Sequence, residues 1–86
     1  MKTEVKKQLR DLGYNGKTDL ETILESLPMG IDKDDKRYDL VVEQRVFLYY
    51  GDNDGNELFS IMREQNESLA DTAGRLLVKL IEEKLI

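Results

Sequence analysis

The densest run of side chains able to do chemistry is Asp52-Asn53-Asp54-Gly55-Asn56-Glu57, three carboxylates and two amides around one glycine. Such a run invites a calcium reading, because hard cations take oxygen ligands from short acidic loops. The spacing refuses it. With Gly55 at the sixth position of an EF-hand loop, Tyr50 falls at the first and Ile61 at the twelfth, where acidic ligands are required. Asp54-Gly55 instead fits the two central positions of a type I′ β-hairpin, which both need positive φ.

The rest of the chain offers little else to react with. It has no histidine and no cysteine, so there is no imidazole base, no thiol nucleophile and no His or Cys ligand for a metal. Gly51 and Gly55 are isolated and not followed by Lys-Ser or Lys-Thr, so no phosphate-cradling loop is present. Asp34-Asp35 and Glu82-Glu83 are sequence neighbours on polar stretches and make no acid/base pair, which needs a cleft between two separated carboxyls. The expectation is a protein that is not an enzyme and takes no cofactor and no metal.

The elements that must carry these residues are organised around residues 68–86. Leu69, Ala73, Leu76, Leu77, Leu80 and Ile81 recur at three- and four-residue intervals, one apolar stripe of an α-helix. Asn66 or Ser68 can cap it, and Glu67 and Asp71 suit the positive end of its dipole. Residues 2–12 read as a short basic helix stopped at Gly13, with Val5, Leu9 and Leu12 on one side. Thr18-Asp19-Leu20-Glu21 has the spacing of a capping box; Leu20, Ile23, Leu24 and Leu27 follow, and Pro28 ends that helix. Residues 32–37 read as a polar connector. From residue 38 the period changes to two: Tyr38, Leu40, Val42, then Val46, Leu48 and Tyr50 alternate with other neighbours. Glu43-Gln44-Arg45 reads as a three-residue loop, or residues 38–50 as one long bent strand. The Asp54-Gly55 turn sets Tyr50 opposite Phe59 and Leu48 opposite Ile61. The fold class is therefore α+β, a three-stranded antiparallel meander packed on α-helices in the order α-α-β-β-β-α. A single domain spans residues 1–86, with residues 1–16 a basic helix and turn and 17–86 a compact core.

That register leaves a surplus. If Leu48 and Phe59 face the final helix, then Val41, Phe47, Tyr49, Leu58 and Met62 face away from it. An apolar set rich in aromatics and Met is either covered by one of the first two helices or is a partner surface. Charge restricts the partner. The net charge is −5; residues 1–10 carry four bases and one acid, a net of +3, so the remainder carries −8. That balance argues against direct nucleic-acid binding, which requires phosphate neutralisation. Lys2, Lys6, Lys7 and Arg10 precede no apolar run, and no segment approaches eighteen apolar residues, so neither a secretory signal nor a membrane span is expected. Absence of cysteine makes a cytoplasmic location the default.

Two stretches carry a resemblance. Asp19-Leu20-Glu21-Thr22-Ile23-Leu24-Glu25-Ser26-Leu27-Pro28, with Ser68-Leu69-Ala70-Asp71 through Leu85-Ile86, resembles small uncharacterised phage and prophage proteins. That resemblance implies a helix, a small antiparallel sheet and a final helix, without a known function. Asn53-Asp54-Gly55-Asn56-Glu57, with Glu67-Ser68 beyond it, is similar to the hairpin turn of a small acidic anti-CRISPR inhibitor of type II-A Cas9. The likeness implies that Asp54, Asn56 and Glu57 would occupy a groove that reads duplex DNA.

The expectation for function is a small non-enzymatic interaction module of phage or prophage type. It would bind a protein partner, or itself, through Phe47, Tyr49 and Met62, through Asp52, Asp54, Asn56 and Glu57 at the hairpin, or both. One alternative is an acidic decoy that blocks a basic nucleic-acid-binding groove. The other is a homo-oligomeric structural protein.

Overall fold

A computed structural model describes residues 2–86. Helix α1 (Thr3–Asp11) and helix α2 (Leu20–Ser26) precede strands β1 (Gly30–Lys33), β2 (Lys36–Glu43), β3 (Phe47–Gly51) and β4 (Glu57–Met62), and helix α3 (Leu69–Glu82) closes the order. The strands form one antiparallel sheet in the order β1-β2-β3-β4. The sheet therefore has four strands, not three. The extra strand, β1, runs into the stretch 32–37 expected as a polar connector, and β2 begins within it. Asp34 and Asp35 take φ of 53° and 64°, closing a tight hairpin that pairs Lys33 with Lys36 and Ile31 with Tyr38. Asp tolerates the left-handed region better than most residues, which lets this turn form without glycine.

The other two turns also depart from expectation. Gln44 and Arg45 both take positive φ, 52° and 57°, and the Val46 amide donates to the Glu43 carbonyl at 3.0 Å. The loop is thus residues 44–46, one residue later than expected, with Glu43 paired to Phe47. Val46 belongs to the loop, and Val42, although on the face of Leu48, is left largely exposed. At the β3–β4 turn only Gly55 has positive φ, 87°, and the Asp52 amide meets the Asn56 carbonyl at 2.9 Å. This is a three-residue loop, Asn53-Asp54-Gly55, ending on a left-handed glycine. A bulge then opposes Gly51 to Glu57 but Tyr50 to Phe59, which leaves Leu58 as the extra residue. The bulge restores the register expected from sequence, Tyr50 with Phe59 and Leu48 with Ile61.

Helix α3 lies at the centre of the core. Ala73, Leu76, Leu77 and Leu80 are fully or almost fully buried, together with Leu9 of α1, Ile23 of α2, and Leu48 and Tyr50 of β3. Burying each Leu or Ile of this set stabilises the fold by roughly 1.5–3 kcal/mol. α1 and α2 pack on α3, and α3 packs on β3 and β4. Gly13 (φ 95°) ends α1: its amide donates to the Arg10 carbonyl and the Tyr14 amide to the Leu9 carbonyl, a Schellman motif. The α2 cap is Asp19, one residue later than Thr18, with its carboxylate accepting from the Thr22 amide at 3.3 Å. Ser68 caps α3 and accepts from the Asp71 amide at 3.1 Å. No helix among the described residues is long and apolar enough to cross a membrane.

Both rims of the sheet are blunted. β1 is four residues long and carries Asp32 and Lys33. β4 is bulged at Leu58, and Arg75 Nη2 donates to the Met62 carbonyl at 2.9 Å, occupying a group that could otherwise pair with another strand.

Candidate interaction face

Alternation along paired strands divides the sheet side chains into two sets. Ile31, Tyr38, Leu40, Leu48, Tyr50, Phe59 and Ile61 pack toward the helices. Val41, Phe47, Tyr49, Ser60 and Met62 stand on the other face. Neither α1 nor α2 covers that face; both pack on α3. Phe47 and Met62 are register partners and are 43 % and 55 % exposed, while Val41 and Tyr49 are half-buried.

The residues singled out in the sequence divide by position. Tyr49, Asp52, Asn56 and Glu57 line one concavity of about 140 Å³ on the outer face, with Val41 as part of its wall. The Tyr49 ring lies against Gly51: a Cβ there would meet Tyr49 Cε2 at 2.9 Å. Phe47 and Met62 sit further along the same face. Asp54 is exposed at the tip, outside the concavity. Leu58, expected on this face, is the bulged residue and packs instead against the core.

Asp52 has a structural task. Its Oδ1 accepts from the amides of Asp54 (2.9 Å) and Asn56 (2.8 Å), and its Oδ2 from Asn56 Nδ2 at 2.9 Å. The Asn56 side-chain hydrogen bond, helped by the two amides, holds the Asp52 carboxyl below its usual range. The carboxylate therefore closes the turn from within, as Asx turns do. No group of three or more metal-ligating side chains is gathered among the described residues.

A larger groove of about 260 Å³ runs between α1, α3 and β4, floored by Phe59, Ile61 and Val78. Its cations are already engaged: Arg75 pairs with Glu67, and Lys79 pairs with Glu83 at 3.5 Å and lies 5.8 Å from the Phe59 ring centre. Among the described residues no free acid–base pair converges there, and the outer face remains the better candidate.

Sequence reasoning missed one constellation. Glu67, only 3 % exposed, receives Arg75 Nε at 2.7 Å, Arg75 Nη2 at 2.6 Å, the Thr72 hydroxyl at 2.8 Å and the Glu64 amide at 3.0 Å. Burial pushes its pKa up, but the Arg75, Glu64 and Thr72 hydrogen bonds outweigh burial and bring it to about 2. The network joins the end of β4 to the start of α3. The signal for it was Thr72 and Arg75 sharing a stripe with Ser68 at four- and three-residue spacing on α3. Every buried polar side-chain atom among the described residues has a partner, so this cluster is a structural bolt with no idle group.

Compared with known proteins, the chain matches no family model, no curated protein and no solved structure.

Proposed function

We propose that this chain is a small non-enzymatic protein-interaction module that binds through the outer face of its sheet. The observation that carries this reading is the Phe47–Met62 pair, exposed on a face that none of the helices among the described residues covers. Exposed aromatic and Met side chains in a contiguous set are characteristic of interfaces. A phage or prophage setting rests on the resemblance of residues 19–28 and 68–86. The test is capture from host lysate at several salt concentrations, comparing the natural chain with the double variant Phe47→Asp, Met62→Asp. The natural chain retains a partner that the variant loses, with an unchanged circular dichroism spectrum. Equal capture by both chains overturns the reading.

A second reading, an acidic decoy for a basic nucleic-acid groove, is favoured by exposed Asp54 at the tip beside Glu57. Binding of that kind weakens steeply as salt rises. Because Asp52 closes the turn, the informative variants are Asp54→Lys and Glu57→Lys. They abolish binding if the tip is inserted; unchanged affinity removes this reading.

A further inference from the structure

The outer face is charged as well as apolar. Among the paired strand residues, register places Asp32, Asp39, Glu43 and Glu57 on it against one cation, Arg37. Arg37 is already paired with Asp39 at 3.0 Å, and its side chain lies over Gly30. Asp32, Glu43 and Glu57 take part in none of the ion pairs among the described residues. The apolar rows, Val41 with Tyr49 and Phe47 with Met62, are thus bordered by more carboxylates than the one cation, Arg37, can pair. A second copy would bring the same sign against itself, which costs affinity. A basic partner relieves it.

We infer that the outer face docks a basic protein segment, an apolar side chain resting on Phe47 and Met62 and an Arg or Lys laid on the Tyr49 ring against Glu57. This rests on the interaction-module reading and adds the chemistry of the partner. The Tyr49 ring, held against Gly51, lines the concavity together with Glu57, and an aromatic ring beside a carboxylate is the combination that a guanidinium favours. From Phe47 to Gly51 is four steps along β3, roughly 13 Å. An extended segment matches that span with its apolar residue and its cation at positions i and i+4.

The test is an NMR titration with two short synthetic peptides, alike except that one carries Phe and Arg at i and i+4 and the other Phe and Glu. The expected result is saturable shifts at Phe47, Tyr49, Met62 and Glu57 with the Arg peptide and none with the Glu peptide. Glu57→Lys, at an exposed strand end, weakens the Arg peptide roughly five- to tenfold and admits the Glu peptide. Equal binding of both peptides, binding elsewhere, or no binding of either overturns the inference. So does a dimeric solution mass that becomes monomeric in the Phe47→Asp, Met62→Asp variant, because the occupant is then a second copy. If the peptides fail while lysate capture still depends on Phe47 and Met62, the interaction module stands and only its basic partner falls.

Discussion

Glu67 shows how much one carboxylate can decide. Its pKa lies near 2 in the folded chain, against an ordinary 4.5, so the folded state holds the ionised form more tightly than the unfolded state does. A depressed carboxyl pKa contributes stability that is complete above pH 4.5 and is lost as pH falls toward 2. Glu67→Gln therefore costs on the order of 3 kcal/mol at neutral pH. Urea melts of the two chains should draw together as pH drops through that window, whereas a constant gap would mean that the ion pair is not the source. Tyr50 acts at the alkaline end. Burial raises its pKa to about 12, and its hydroxyl donates to the Pro28 carbonyl at 2.8 Å, tying β3 to the end of α2. Tyr50→Phe costs about 1 kcal/mol in a neutral urea melt. It also removes the loss of stability that the natural chain shows as pH rises from 10 toward 12.

The elements differ in how plainly the chain announces them. α3 was legible because a long apolar stripe admits one period, and Ser68 capped it as one of two residues expected to. The β3–β4 pairing was legible for a subtler reason. The turn differs from the one that Asp54-Gly55 suggested, yet the bulge at Leu58 returns the strands to the register their apolar residues demand. Burial of Leu48 and Tyr50 outweighs local turn preference. β1 was illegible because Gly30-Ile31-Asp32-Lys33 has one apolar side chain, and Asp34-Asp35 lacks the glycine that marks a tight hairpin. The Gln44-Arg45 turn was hidden in the same way, since neither residue favours positive φ. That mismatch makes a prediction: Gln44→Asn with Arg45→Gly should raise stability by about 1 kcal/mol, read from the denaturation midpoint. Lys84, at φ 58° in the Schellman turn after α3, offers a parallel case. Lys84→Gly is expected to gain about 0.5–1 kcal/mol, and a loss would show that the lysine side chain has a role of its own. The Glu67 network escaped because no pairwise rule links a residue before a helix to one two turns along it. Of the candidate site, the outward direction of Phe47, Tyr49 and Met62 was legible from alternation alone. The meeting of Tyr49 with Asp52 and Glu57 was not, because it depends on the bulge.

Over the whole molecule, packing is one-sided. The three helices and the inner side chains of the sheet form one core, to which α1 adds Val5 and Leu9 and a bond from the Lys2 amide to Asp71 at 2.6 Å. The outer face contributes little to that core. Phe47→Asp with Met62→Asp should therefore shift the thermal midpoint by only a few degrees, roughly the effect of 1 kcal/mol in a domain this size. Leu77→Asp should leave no cooperative transition, because a carboxylate would be enclosed without a partner. A large destabilisation by the first pair would show that the outer face is structural after all.

With both rims of the sheet blunted, a molecule docking on the outer face as proposed would meet side chains and hardly any backbone. Those side chains are the least constrained by folding, so they are free to change. Selection can re-aim such a scaffold by altering a handful of surface positions, leaving its architecture untouched.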